Sequence, residues 1–301
     1  MNETVILAMR FTDRKFGIIL LMPAALLVAL LFVYPIAYSF YMSFHEKDPF
    51  STDTAPYVGL DNFKMALEDP AFWIAFKNGL IYGCTTVFFQ VVVGISLSLL
   101  LNAAFAGRSV ARGLILAPYI IPGVAVALIW RWMFNDFLGI VNRGLSFLGI
   151  INEPIAWFGD PNWAMIGVTI VGVWRYFPFV IIAVLARLQT IPEALYDAAT
   201  VDGANAFQRF KDITIPQLRY VLFVVVLLRF LWMFNDFETI WLLTSGGPVN
   251  KTLTLPILVY ITSFKKFELS LALSITVLMT IFLVLMAVVF FRIYRVEEDI
   301  E

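Results

Sequence analysis

Six apolar stretches, each close to the length a helix needs to cross a bilayer, constrain this chain more than any other feature. They run over about residues 16–40, 79–101, 113–130, 163–186, 220–243 and 269–294; a hydrocarbon core of about 30 Å takes about 20 apolar residues in helix. Composition agrees, with 61% hydrophobic and 14% charged residues, against roughly 45–50% and 25% in soluble domains. No single soluble core hides that much apolar surface. The expected class is an all-α polytopic membrane protein, with six transmembrane helices in one domain over residues 1–301. The first stretch is too long for a signal-peptide core, and Tyr38, Phe40, Tyr41 and Phe44 crowd its exit in place of small residues. It is expected to stay as an anchor.

A net charge of −1 gives no electrostatic footprint for nucleic acid. The single cysteine, Cys84, lies in an apolar run, so no disulfide framework or metal cluster is expected. The one histidine, His45, falls in a polar segment and is expected to be solvated. There is no phosphate-binding loop, no zinc-binding His-Glu-x-x-His, and no histidine at the depth where an intramembrane serine would need one. Neither enzymatic activity nor a cofactor is expected. The N-terminal segment carries Arg10, Arg14 and Lys15, and the 102–112 loop carries Arg108 and Arg112; the acids beside them are Glu3 and Asp13. Basic residues near span ends favour the inner side, which puts both termini in the cytoplasm.

The inner loop of about residues 190–218, between the fourth and fifth spans, is the most informative stretch. Thr190 with Glu193 three residues later reads as a capping box, and Pro192 suits a first helical turn. Gly203 can turn left-handed and stop that helix. Asn205 and Gln208 repeat the capping pattern, and Pro216 precedes the fifth span. The expected result is helix, sharp turn, helix at the membrane surface. Small Ala194, Ala198 and Ala199 stand beside Glu193 and Asp197, while Phe207 and Phe210 fall on one side of the second helix. Such a surface suits a docking partner; it would equally suit an amphipathic loop lying on the bilayer.

The string Asp197-Ala198-Ala199, then Asp202-Gly203-Ala204, then Ile213-Thr214-Ile215-Pro216 resembles the signature loop of binding-protein-dependent ABC importer permeases. The signature opens with Glu-Ala-Ala; Asp197 keeps the charge on a shorter side chain. Tyr57-Val58-Gly59-Leu60-Asp61-Asn62-Phe63, Pro118-Tyr119-Ile120-Ile121-Pro122 and Leu243-Thr244-Ser245-Gly246-Gly247-Pro248 are similar to stretches of the carbohydrate branch, of the maltose and glycerol-phosphate type. The last points to the larger of the maltose-type permeases, without its extra N-terminal spans. The resemblance implies a type I ABC importer permease fold in a prokaryotic inner membrane. It implies four kinds of neighbour: two copies of an ATP-binding subunit, a second permease, an extracytoplasmic solute-binding protein, and membrane lipid. It also implies that Glu193, Asp197, Ala198, Ala199, Asp202, Gly203 and Phe207 couple the permease to the ATPases.

Two arginines fall inside apolar runs. Arg175 stands about twelve residues from either end of the fourth span, roughly 18 Å in at 1.5 Å per residue. Arg229 stands about 15 Å into the fifth by the same rule. Ionised side chains at that depth cost about 2.5–3.5 kcal/mol on insertion scales and should face protein or a watery cavity. Gly172, Arg175, Tyr176 and Phe179 share one helix face; Arg229, Trp232, Met233 and Asp236 repeat the spacing; Tyr119, Pro122 and Gly123 cover one face of the third span. Pro122 and Pro178 free backbone carbonyls, which is tolerable beside a cavity. Rings, an acid and a guanidinium suit a pyranose. The resemblance implies that Tyr119, Gly123, Arg175, Tyr176, Phe179, Trp232, Met233 and Asp236 line the substrate pathway. The maltose-type pattern has an amide where Asp236 stands. An alternative pairs Arg175 with Asp236 as a structural lock, and Arg229 reads as structural. Gly79 and Gly83 read as a helix-packing pair. The competing function is an ion-coupled secondary transporter, a class that shows inverted repeats and intramembrane carboxylates; the chain has no visible repeat.

Overall fold

A computed structural model describes residues 13–46 and 55–298. Glu3, Arg10 and the side chains of Asp13, Arg14 and Lys15, which bear on the placement of the N-terminus, lie outside the described residues. The described residues are helical apart from turns and one antiparallel bridge between His45 and Tyr57. Among the described residues, five helices are long and apolar enough to cross a membrane, and a bent pair makes a sixth crossing if counted as one.

The first crossing comprises α1 (Asp13–Val28), a π-helical turn (Ala29–Val33) and α2 (Tyr34–Met42). Its described side chains are exposed from Ile18 to Tyr41 apart from a half-buried Ser39, and burial begins at Met42. The chain then docks. Asn62, on α3 (Asp61–Glu68), donates to the carbonyls of Ser43 at 2.9 Å and His45 at 3.1 Å. His45 is buried, not solvated: its Nδ1 lies 2.8 Å from the Tyr41 carbonyl and its ring packs against Tyr41 and Tyr57.

The second crossing, α4 (Pro70–Asn102), begins nine residues before the expected residue 79. Pro70 opens it and Asp69 accepts the Ala71 amide at 2.8 Å, an ordinary N-cap. Lys77 and Asn78 interrupt the apolar run but not the helix, because Asn78 donates to the carbonyls of Asn250 and Leu253.

The third crossing is broken. α5 (Arg108–Ile115) and α6 (Ala117–Ile120) meet α7 (Gly123–Met133) at a bend of 96°. Pro122 disfavours a helical Ile121, whose ψ is 131°. A short α8 (Ile140–Phe147) leads to α9 (Ala164–Leu188), which runs through Pro178 as one helix. The loop between the fourth and fifth crossings holds α10 (Glu193–Val201) and α11 (Ala206–Arg209). The latter continues through a π-helical turn (Phe210–Thr214) into α12 (Ile215–Phe234), so Ala206–Phe234 forms one span that stops nine residues short of the expected end. After a break come α13 (Glu238–Thr244), α14 (Leu255–Tyr260) with a π-helical turn (Ile261–Lys265), and α15 (Leu269–Glu298).

Small residues on α4 let its neighbours approach closely. A Cβ at Gly79 would stand 3.1 Å from the Phe234 ring, and one at Gly83 would stand 3.2 Å from Phe230. This is the packing role expected of that glycine pair. Further along, Gly94 faces Val180 of α9, and Gln90 donates to the Gly172 carbonyl at 3.1 Å. Gly94→Ala would put a methyl 2.5 Å from Val180 Cγ1. A β-branched side chain in a helix has little freedom to turn away. The expected cost is about 1–3 kcal/mol from overpacking. It would be read as a lower melting temperature of the detergent-solubilised protein, and an unchanged temperature would show that the seam can yield there.

Candidate functional site: a charged, ring-lined cavity and an exposed loop

The break after Phe234 builds the site. Asn235 leaves the helical region with ψ near 4°, and α13 starts again at Glu238. Asp236 sits between them, buried, and both carboxylate oxygens are used. Tyr82 of α4 donates its hydroxyl to Oδ2 at 2.8 Å, and the Thr239 amide donates to Oδ1 at 3.1 Å. Tyr82 reaches this point because Gly172 of α9 has no side chain: a Cβ there would press on the tyrosine oxygen.

Two residues further on, the carboxylate of Glu238 receives Arg175. Nη1 and Oε2 stand 2.9 Å apart, with side chains 12% and 47% exposed. The alternative that pairs Arg175 with Asp236 as a lock is therefore corrected: an acid pairs with Arg175 and ties α9 to α13, but it is Glu238. Gly123 opens α7 directly beneath that carboxylate, and a Cβ at position 123 would collide with it. Four elements thus meet at one ion pair: α7, α9, α13 and, through Tyr82 and Asp236, α4.

Arg229 is 1% exposed and has neutral partners. Nε donates to the Gln90 side-chain amide oxygen Oε1 at 2.9 Å, and Nη2 approaches the Met233 sulfur at 3.4 Å. The guanidinium carbon lies 4.7 Å from the centroid of Tyr176, 5.3 Å from Trp232 and 5.7 Å from Phe179. Desolvated contacts of this kind reach about 2 kcal/mol. Arg229 stands as a cation against a wall of rings.

In front of that wall lies a cavity of about 420 Å3 lined by Tyr119, Tyr176, Trp232, Met233, Asp236 and Glu238, with Asn235, Phe237 and Arg229 completing the lining. Tyr119, Tyr176, Trp232, Met233 and Asp236 are thus brought together. Phe179 stands beside them, its ring 5.1 Å from Trp232 and 6.5 Å from Tyr119. Arg175 and Gly123 contribute by seating Glu238. Glu238, Tyr82 and Gln90 escaped the sequence reading. The two acids Asp236 and Glu238 within three residues were the available signal, hidden by treating residues 220–243 as one uninterrupted span.

The loop is exposed over α10 and the start of α11, while Ile191, Thr214 and Leu218 are buried where it joins the spans. α10 buries no side chain, Val201 is 87% exposed and Phe207 71% exposed. Glu193, Asp197, Ala198, Asp202 and Gly203 are also exposed, and Ala199 is half-buried. Gly203 takes φ +82°, its amide donates to the Thr200 carbonyl, and the Ala204 amide donates to Ala199. That pair of bonds is a complete Schellman stop. Asn205 and Gln208 form a reciprocal capping box. The first expected box is corrected: Pro192 occupies the N-cap, and the Thr190 hydroxyl donates to the Arg187 carbonyl instead. Phe210 also differs from expectation, being half-buried in the π-helical turn. Tyr196 with Thr214, Arg209 with Thr200, and Arg187 with Gln217 fasten the loop to the spans on either side.

Residues 90–298 match the family described as binding-protein-dependent transport system inner membrane component. The chain is 34% identical over 287 residues to the inner membrane ABC transporter permease protein YcjO of Escherichia coli, covering 95% of this chain and 96% of that protein. It is 30% identical to the trehalose/maltose transport system permease protein MalF of Thermococcus litoralis, covering 99% and 100%. It is 33% identical to the sulfoquinovosyl glycerol transport system permease protein SmoG of Agrobacterium fabrum, covering 95% and 92%. A bacterial ABC transporter involved in the import of the acidic polysaccharide alginate shares the fold, with a TM-score of 0.81 at 22% identity over 94% of this chain and 96% of that one. With an ABC permease fold, a match over residues 90–298 and full-length likeness to permeases, this chain belongs to the inner-membrane components of binding-protein-dependent transport systems, as a permease subunit and not an enzyme.

Proposed function

We propose that this permease admits a sugar or sugar-like solute through the cavity below Glu238, driven by ATP hydrolysis in partner subunits. The observation that carries the reading is the cavity itself. Its volume of about 420 Å3 lies within the roughly 300–1,000 Å3 usual for small-molecule sites. It offers stacking faces from Tyr119, Tyr176 and Trp232 beside two carboxylates, the pairing of apolar ring and polar edge that a pyranose presents. The trehalose/maltose and sulfoquinovosyl glycerol relatives, and the alginate transporter, are named for saccharides or their derivatives. Tyr119, Gly123, Arg175, Tyr176, Phe179, Trp232, Met233 and Asp236 are proposed to form the pathway, joined by Glu238.

The partners proposed are two copies of an ATP-binding subunit, a second permease and an extracytoplasmic solute-binding protein. A solved relative in the fold, the alginate transporter, is in complex with a pentasaccharide-bound periplasmic protein. The loop of residues 190–218 is proposed to dock on the ATP-binding subunits from the cytoplasm, with both chain termini on the same side. Nucleotide binding then shifts the permease between two packed states by favouring one of them.

The first test is a tagged pull-down from native membranes with ATP hydrolysis assayed on the product. An ATPase and a second six-span chain should come down. A chain that purifies alone and moves solute without ATP would overturn the assignment of the loop. Gly203→Val should leave insertion intact and uncouple uptake from hydrolysis, because a β-branched residue resists positive φ; normal uptake would refute it. Asp197→Lys should reduce co-purification of the ATPase by charge reversal, and unchanged recovery would remove that acid from the docking surface. Glu238→Gln weakens the hold on Arg175. For a half-exposed pair the loss is about 1 kcal/mol, so uptake kinetics in proteoliposomes should show roughly a fivefold change in KM with complex assembly retained. An unaltered KM would place Glu238 outside the pathway.

A further inference from the structure

The seam between α4 and α9 carries a second feature, on a side of α9 that the solute cavity does not use. Two cavities lie along it. One of about 570 Å3 is lined by Phe89, Val93 and Phe177 among other apolar side chains. The other, of about 270 Å3, lies between Leu101, Ile181, Ile182 and Leu185, with Arg112 and Gln189 at its end. Leu101, Phe177 and Ile181 form one buried cluster with Val93 and Leu97 packed on it, so a continuous apolar strip joins the two. Twelve residues separate Phe89 from Leu101, about 18 Å along the helix. That compares with one leaflet, half of a hydrocarbon core about 30 Å thick.

Arg112, on α5, closes the strip. Its Nη2 donates to the Leu101 carbonyl at 2.9 Å. In the amide orientation that satisfies both groups, Gln189 accepts from the same guanidinium at 3.0 and 3.3 Å. Both partners are neutral. Its Nε is shielded from solvent and has no hydrogen-bond partner. Neither of the ion pairs Lys64–Glu68 and Arg175–Glu238 involves Arg112, whose described partners are the neutral Leu101 carbonyl and Gln189. Arg108, one turn earlier, makes only a long 3.5 Å contact with the Asn102 carbonyl.

We propose that this groove binds one anionic phospholipid, with its phosphate on Arg112 and an acyl chain along the α4–α9 seam. A shielded guanidinium with an orphan donor calls for an anion, and the strip beside it calls for a hydrocarbon chain. An anionic lipid supplies both in one molecule. Basic pockets between transmembrane helices on the cytoplasmic side are a known setting for acidic headgroups. The assignment rests on the reading that the 102–112 loop faces the cytoplasm.

The test is native mass spectrometry of the complete transport complex in mild detergent, titrated with phosphatidylglycerol and with phosphatidylcholine of the same acyl chains. One phosphatidylglycerol per chain should be retained about tenfold more tightly than phosphatidylcholine. Arg112→Gln should abolish that preference, while Arg112→Lys keeps part of it. Ile182→Trp, which fills the groove and leaves Arg112 in place, should lower retention of both lipids. Equal retention of the two lipids, or retention untouched by Arg112→Gln and Ile182→Trp, overturns the proposal. So does binding of millimolar inorganic phosphate that excludes the lipid and ignores Ile182→Trp, which would make the source a free anion. A photo-crosslinker at position 182 that captures another protein chain and no lipid in native membranes overturns it too. Bound lipid is the readout, so a failure here is distinct from a failure of the solute assignment.

Discussion

Backbone within a bilayer must find its hydrogen bonds inside the protein, and the residues after Phe234 are where this chain meets that demand. The helix stops, three residues pass, and another helix begins. Asp236 makes the interruption tolerable. One of its oxygens takes the Thr239 amide at the start of α13, and the other takes the Tyr82 hydroxyl from α4. The remaining features of the site hang from this point. Glu238 is carried to Arg175, Gly123 gives it room, and the end of α12 presents Trp232 and Met233 to the cavity. An uninterrupted fifth helix would carry Glu238 half a turn away from Asp236 and leave no re-entrant corner for a solute.

The positions of the spans were legible in the sequence because lipid sets their length and hydropathy reports it. The interruptions were less so, since a break of two or three residues hardly alters a window of about 20. Pro122 was a visible signal for the first break. The second has no proline or glycine, only the polar Asn235-Asp236 pair. The same blindness ran the other way at Lys77-Asn78, where two polar residues looked like a boundary and Asn78 turned out to hold a loop contributed from residues 250–253. Helical spacing put Trp232 and Met233 on one face of α12, and the fold sets them on one cavity with Tyr176 of α9 and Asp236 of the break. Spacing could not choose between Asp236 and Glu238 as the partner of Arg175, a matter of tertiary distance that charge alone does not decide. In the loop, the glycine stop and the Asn205 box were readable as local chemistry. The Thr190 box was not, because the preceding helix offered that hydroxyl a nearer carbonyl.

Loop and cavity are mechanically close although they are far apart in space. Ala206–Phe234 is one helical rod through its π-helical turn, about 43 Å long at 1.5 Å per residue. Phe207 stands at one end of it and Trp232 near the other. Under the proposed function, a load applied at the exposed loop reaches the rings of the cavity along a single element. The neighbouring α9 is joined to the same rod at its loop end by Arg187 and Gln217, and at mid-helix, beside the cavity, by Phe179 and Trp232. Two helices bound at two separated points move as a unit more readily than either moves alone, which under the proposed function suits a device that rocks between packed states.

Gly123 governs the electrical character of the cavity without carrying a charge. The space it leaves empty is what lets the Glu238 carboxylate rest against Arg175, so that the wall there carries a neutralised pair. A side chain at that one position would turn the carboxylate outward and uncover the guanidinium. A lineage of such permeases could thereby pass from solutes that tolerate a neutral wall to solutes that seek a cation, keeping every ionisable residue where it stands.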